Sequence, residues 1–92
     1  MTVDRFEVRY TSTARRALSR DLPPRVVHAV LALIDGDLGI EPARVGKPLR
    51  PPLGGIWSAR RGTYRILYEI NPQKRVVTIV SIESRSDAYR RR

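Results

Sequence analysis

The chain has 92 residues, 41% of them hydrophobic and 29% charged. That is the length of one domain and the composition of a soluble globular chain rather than a disordered one. Cysteine is absent and His28 is the single histidine, which excludes a disulfide scaffold, a cysteine nucleophile and a Cys/His zinc site. No apolar run approaches the ~20 residues of a membrane helix. With Asp4, Arg5, Glu7 and Arg9 near its start, the chain reads as a cytoplasmic protein without a secretion signal, a single domain over residues 1–92. The 18 basic residues outnumber the 9 acidic ones, for a net charge of +9. The excess is lopsided. Residues 1–46 carry seven basic and six acidic groups, residues 47–92 eleven and three. All the basic residues except Lys47 and Lys74 are arginine, the side chain suited to bidentate phosphate contacts. A basic half beside a neutral half reads as a polyanion-binding surface.

Residues 3–10 alternate, with Phe6, Val8 and Tyr10 on one face and Glu7 and Arg9 on the other, which predicts a half-buried strand. Thr11, Ser12 and Thr13 are candidate caps for a short helix in which Ala14, Ala17 and Leu18 share a face. Pro23 and Pro24 suit the start of a second helix. Val27, Val30, Leu31 and Ile34 line its stripe, Val26 and Leu33 widen it, and Gly36 ends it. Residues 37–55 hold four prolines and four glycines, which predicts a long irregular connection. Residues 56–61 and 64–70 flank Gly62-Thr63, a hairpin signal. After a turn over residues 71–74, residues 75–82 are apolar on both faces, as an interior strand is. Residues 86–89 suit a last helical turn. The fold class is therefore α+β, in the order β-α-α-β-β-β with a short C-terminal helical turn. A helical hairpin covers one face of a mainly antiparallel sheet, and the other face is left free to bind.

A two-residue turn at Gly62-Thr63 sets Arg61 opposite Tyr64, Arg60 opposite Arg65, Ser58 opposite Leu67 and Ile56 opposite Glu69. Tyr64, Ile66, Tyr68 and Ile70 then form the apolar face, and Arg60 and Arg65 project together from the other. Opposed like charges destabilise a strand pair by a few tenths of a kcal/mol or more, so such a pair implies either an anion between the arginines or a neutralising acid, for which Glu69 is the candidate. Tyr64 and Tyr68 read as core, Trp57 as an anchor between sheet and loop, and His28 as a helix-surface residue without a titratable partner. Asp35, Asp37 and Glu41 form an acidic patch whose spacing matches no metal motif. Arg85 and Tyr89, four residues apart, share one side of a helical turn. Arginines around Tyr89 favour its phenolate, which offers a general base where no histidine is at hand; the other reading is an aromatic that pins the tail to the core.

Three strings carry a resemblance: residues 46–50 (Gly-Lys-Pro-Leu-Arg), residues 53–68 (Leu-Gly-Gly-Ile-Trp-Ser-Ala-Arg-Arg-Gly-Thr-Tyr-Arg-Ile-Leu-Tyr) and residues 85–90 (Arg-Ser-Asp-Ala-Tyr-Arg). Together they resemble the RelE branch of the RelE/ParE toxins of bacterial type II toxin–antitoxin systems, over essentially the whole chain. The resemblance implies a compact sheet with helices on one side, and a ribosome-dependent endonuclease that cuts mRNA in the A site. No metal or other cofactor is implied. The 2′-hydroxyl attacks the adjacent phosphate, leaving a 2′,3′-cyclic phosphate and a 5′-hydroxyl. By position, Arg65 matches the phosphate-stabilising arginine, Arg60 a basic residue of the preceding strand, Arg85 a candidate acid or charge stabiliser, and Tyr89 a tyrosine that orients the substrate base or serves as general base. Lys47, Arg50, Arg61 and Arg90 are expected to add RNA and ribosome contacts.

Ser58 departs from the pattern, since a second basic residue is often found there; Arg61 and Lys47 are the candidate substitutes. The family also implies a cognate RelB-like antitoxin, acidic and partly disordered when free, through which the complex binds its own operator. Two other functions fit the same charge: a ParE-like toxin that binds DNA gyrase without chemistry, and a non-catalytic basic RNA-binding module.

Overall fold

The structure, a computed structural model, describes residues 5–50 and 54–84. Strand β1 (Glu7–Tyr10) leads into helix α1 (Ser12–Arg16), which widens into a π-helical turn over Ala17–Asp21. Helix α2 (Pro24–Leu33) does the same over Ile34–Leu38. A short helix α3 (Pro42–Val45) and a two-residue strand β2 (Lys47–Pro48) precede the hairpin β3 (Trp57–Arg61) and β4 (Tyr64–Asn71), and β5 (Val76–Ser84) closes the sheet. The strand order is β1-β5-β4-β3-β2. All neighbours are antiparallel except β1, which runs parallel to β5. No helix among the described residues is long and apolar enough to cross a membrane.

The α+β class and the expected order of the main elements are observed. The differences lie in the connection. Residues 37–55 are less irregular than their prolines imply. Pro42 sits in the first turn of α3, where a missing N–H costs nothing. Pro48 lies on the edge strand, where its missing donor faces solvent. The chain also does not stop its helix cleanly at Gly36. That residue takes a non-helical kink (φ −94°, ψ −112°) and the helical path continues to Leu38. The expected tail turn at residues 86–89 lies outside the described residues.

Local chemistry sets the helix starts. Thr11 caps α1, its hydroxyl accepting from the Ala14 N–H at 3.1 Å, so one of the orphan donors of the first turn is satisfied. Pro24 occupies the first turn of α2. Buried Ala14 and Ala17 let α1 approach the sheet closely, and Val30, Ile34 and Leu38 fill the space beneath α2. The packed stripe of α2 is turned slightly from the predicted one. Val26 and Leu33 flank Val30 and Ile34 against the core, while Val27 and Leu31 lie half-buried. The sheet contributes Ala59, Ile66, Tyr68, Val77, Ile79 and Ile82. Tyr68 is fully buried, donates to the Pro42 carbonyl at 2.7 Å and stacks on half-buried Trp57, with ring centroids 6.5 Å apart. His28 is exposed on α2, and Asp35, Asp37 and Glu41 are exposed, Glu41 pairing with Arg44 at 3.3 Å.

A candidate nucleic-acid interface on the open face of the sheet

The β3–β4 ladder holds the predicted register: Arg61 faces Tyr64, Arg60 faces Arg65 and Ser58 faces Leu67. It ends at Trp57–Tyr68, one pair short of the expected Ile56–Glu69. Gly62 opens the turn with φ of +63°, a conformation that side chains with a Cβ rarely adopt. Side chains alternate across a strand. Since Ala59, Ile66 and Tyr68 are buried beneath the helices, Ser58, Arg60, Arg65 and Leu67 occupy the opposite, open face. Arg60 and Arg65 are thus neighbours, and both residues are exposed.

Strand β5 adds the group that neutralises this pair, and it is Glu83, not the expected Glu69. Glu83 lies directly opposite Arg65. Its Oε1 accepts from Arg65 Nη2 at 2.9 Å, and its Oε2 lies 3.5 Å from Ser81 Oγ. The two side chains are 45% and 43% exposed. An ion pair this exposed contributes about 0–1 kcal/mol, so a phosphate can take its place without much cost to the fold. The open face therefore carries the row Glu83–Arg65–Arg60 across β5, β4 and β3.

A β-bulge puts Glu83 there. The β4–β5 register shifts between Leu67 and Tyr68, which face Ser81 and Ile79, so Val80 is an extra residue. Strict alternation from buried Val77 and Ile79 sends Ser81 and Glu83 to the helix side; the extra residue reverses the parity. Ile82 then points inward, 7% exposed, and Ser81 and Glu83 point outward. Because residues 75–82 are apolar on both faces, the sequence hides this arrangement. The available signal was Ile82, whose burial is incompatible with unbroken alternation from Ile79.

The next row on the open face is Ser81–Leu67–Ser58–Lys47, because edge strand β2 sets Lys47 opposite Ser58. Directly opposed side chains on one face have Cβ atoms roughly 4.5–5.5 Å apart. Lys47 thus stands beside the position where β3 lacks a basic residue. Arg61, the other candidate, pairs with Tyr64 and falls on the helix side of the sheet, so the structure does not bring it to the Arg60–Arg65 face. Arg50 is exposed just beyond β2. Arg85, Tyr89 and Arg90 lie outside the described residues. The far end of the open face is balanced: Arg9 pairs with Glu7 at 3.0 Å on β1, and Glu69 faces Thr78. Positive charge is concentrated at the β3–β4 end, over a floor made by half-buried Leu67. Cations converging on a shallow, partly apolar face suit a phosphodiester with a base beside it.

Residues 8–89 match the family described as the ParE toxin of type II toxin–antitoxin systems, parDE. The toxin RelG of Mycobacterium tuberculosis is 54% identical over 86 residues, spanning 94% of this chain and 98% of that protein. The toxin RelE of the same organism is 44% identical over 85 residues, spanning 92% and 87%. In three dimensions the chain is similar to one in the crystal structure of the M. tuberculosis toxin–antitoxin complex RelBE2, with a TM-score of 0.84 and 51% identity over 89% of this chain and all of that one. The chain belongs to the RelE/ParE superfamily of type II toxins, in its RelE branch.

Proposed function

We propose that this toxin is an endoribonuclease that cuts translated mRNA in the ribosomal A site. The observation that carries the reading is the pairing of Arg60 with Arg65 on the open face of a RelE-branch fold. In the reaction the 2′-oxygen bonds to the adjacent phosphorus, the bond from phosphorus to the 5′-oxygen breaks, and a 2′,3′-cyclic phosphate and a 5′-hydroxyl result. Charge builds on the phosphorane oxygens as this proceeds, and preorganised donors aimed there lower the barrier. Arg65 supplies the main contact, with Arg60 beside it. Arg85 acts as acid or charge stabiliser and Tyr89 orients the substrate base or takes the proton, assignments that rest on the family resemblance. Lys47 and Arg50 extend the cationic face, and Arg61 and Arg90 add contacts to the ribosome.

Arginine is a poor proton donor or acceptor, so much of the rate comes from holding the phosphodiester in line for attack. The ribosome supplies that geometry, and the site of action is cytoplasmic. The partner in storage is a RelB-like antitoxin, as the M. tuberculosis RelBE2 complex suggests. The net charge of +9 favours an acidic segment, partly disordered when free, and the complex binds its own operator through that antitoxin. The test compares programmed ribosomes with naked message. Cleavage confined to ribosome-bound message, with cyclic phosphate ends and with survival of a message carrying 2′-deoxy sugar at the cut site, is the expected result. Equal cleavage of naked RNA overturns it. The match to the ParE family supports a second reading, a gyrase-directed toxin without chemistry, which inhibition of supercoiling by a toxin that leaves message intact supports.

A further inference from the structure

The row Glu83–Arg65–Arg60 holds more than a phosphate clamp. We infer that Glu83 is the general base that takes the proton from the attacking 2′-hydroxyl, and that substrate binding itself releases it for that task; the inference rests on the endonuclease reading above.

The geometry favours this role over a structural one. Glu83 is the carboxylate in hydrogen-bond contact with Arg65. It reaches the open face only because β5 carries an extra residue at Val80. Neighbouring strands lie about 4.8 Å apart, so the row spans roughly 10 Å, with the two guanidinium groups toward one end and the carboxylate at the other. A phosphate seated on Arg65 and Arg60 therefore has the carboxylate on one flank, in reach of a 2′-hydroxyl presented from that side. Ser81 Oγ, 3.5 Å from the second carboxylate oxygen, steadies that oxygen on the β5 side.

In the free protein the carboxylate is held by Arg65. A phosphate competes for the same guanidinium. Once it wins, the carboxylate has lost its hydrogen-bond donor and its oxygens are free to accept from the 2′-hydroxyl of the bound strand. The same displacement that positions the substrate thus frees Glu83 to face the attacking hydroxyl. The electron accounting is closed: the 2′-hydroxyl proton moves to Glu83, the oxygen pair forms the bond to phosphorus, and the departing 5′-oxygen keeps the pair of the broken bond and takes a proton from an acid or from water. Tyr89 is then left with orienting the substrate base.

The test uses the full-length toxin on ribosomes programmed with a short synthetic message, measured in single turnover with toxin in excess. Glu83→Gln keeps the shape and still accepts a hydrogen bond from Arg65, but it cannot take a proton. A general base typically contributes 10²–10⁴-fold. The expected result is a fall of about 10²-fold or more in the cleavage step, ribosome affinity within about threefold of the parent, and partial recovery in Glu83→Asp. Wild-type rates in Glu83→Gln, with cleavage by the parent intact, overturn the inference and leave the endonuclease reading standing. A parent toxin that cuts no ribosome-bound message overturns both. A message with sulfur in place of the 5′-oxygen separates acid from base, because a thiolate leaves without a proton. Glu83→Gln should stay slow on it; recovery there means that Glu83 gives a proton rather than takes one, and overturns the assignment.

Discussion

The Thr11 hydroxyl donates to the Val80 carbonyl at 2.6 Å, joining the first turn of α1 to the bulge in β5 across 69 residues of sequence. The same oxygen accepts from the Ala14 N–H. One side chain thus caps a helix and satisfies the carbonyl of the residue that the bulge adds to β5. The bulge in turn decides which face Glu83 occupies, so a cap residue on the helix side of the sheet supports the arrangement of the open face.

Removing that hydroxyl should be costly. Losing an N-terminal cap typically costs about 1 kcal/mol, and a part-buried carbonyl left without its donor adds about 1 kcal/mol or more. Thr11→Val is expected to lose about 2 kcal/mol, a fall in melting temperature of roughly 10 °C for a domain of this size. Thr11→Ser, which keeps the hydroxyl, should stay close to the parent. Thermal denaturation followed by circular dichroism makes the comparison, and equal melting of Thr11→Val and the parent refutes the double role.

Tyr68 gives a pH-dependent prediction. Burial pushes its hydroxyl up to about 12, opposed in part by a hydrogen bond from the Gly46 backbone. The ordinary value near 10 holds in the unfolded chain. The folded state therefore keeps its proton more tightly than the unfolded state. The stabilisation is complete below pH 10 and is lost as the pH rises through about 12. Urea denaturation at stepped pH should show this alkaline loss in the parent and a smaller one in Tyr68→Phe. At neutral pH, Tyr68→Phe should be less stable by about 1 kcal/mol, since the Pro42 carbonyl loses its donor.

Gly46 belongs to the same contact for a steric reason. Its backbone is extended (φ −114°), so its conformation needs no glycine. The requirement is space: a Cβ there meets the Tyr68 hydroxyl and lies 2.6 Å from the Ser58 carbonyl. Gly46→Ala should cost about 1–3 kcal/mol through overpacking and loosen β2 from β3, which carries Lys47 away from Ser58. Retained stability in Gly46→Ala contradicts the close approach.

What could be read from the sequence follows from how local each determinant is. The hairpin register was legible because Gly62-Thr63 fixes it over a few residues, and with it the neighbouring positions of Arg60 and Arg65. Thr11 was readable as a cap candidate, and Ala14, Ala17 and Leu18 as the buried side of α1. The parallel pairing of β1 with β5 depends on contacts between the two ends of the chain and leaves no local mark. Glu83 was missed for a related reason. A bulge reverses the parity of everything after it, and the contact that braces it, Thr11 to Val80, spans 69 residues of sequence. Lys47 reaches Ser58 because Gly46 permits a close approach that only the packed fold requires. The reading of Arg85 and Tyr89, drawn from their spacing and from the family resemblance, falls outside the described residues.

Affinity for RNA should divide the basic residues by face. Each phosphate contact to a single strand steepens the dependence of log affinity on log salt by about 0.7. Arg60→Ala and Lys47→Ala remove charges from the open face and should each flatten that slope by about one contact for a short RNA. Arg61 lies on the helix side beside Tyr64, and Arg61→Ala should leave the slope for that short RNA nearly unchanged. Titrations at several salt concentrations decide the matter, and an Arg61 effect as large as that of Arg60 speaks against the open face as the RNA surface.

Arg65 provides the sharpest separation of chemistry from folding. Its ion pair with Glu83 is nearly half exposed and contributes at most about 1 kcal/mol, while its removal also relieves the repulsion from Arg60 directly opposite. The melting temperature of Arg65→Ala should therefore stay within a few degrees of the parent. Loss of one donor aimed at a developing oxyanion costs about 10²–10³ in rate, and the cleavage step should fall by that factor. Arg65→Lys keeps the charge but not the planar fork that grips two oxygens at once, and it should recover only a small part. Tyr89→Phe is the companion measurement. If Tyr89 orients the substrate base, Phe keeps the ring and stays active while Ala does not. If Arg65→Ala, Arg60→Ala, Arg85→Ala and Tyr89→Phe all still arrest growth with message intact and the protein folded, the nuclease reading falls and gyrase supercoiling becomes the assay to run.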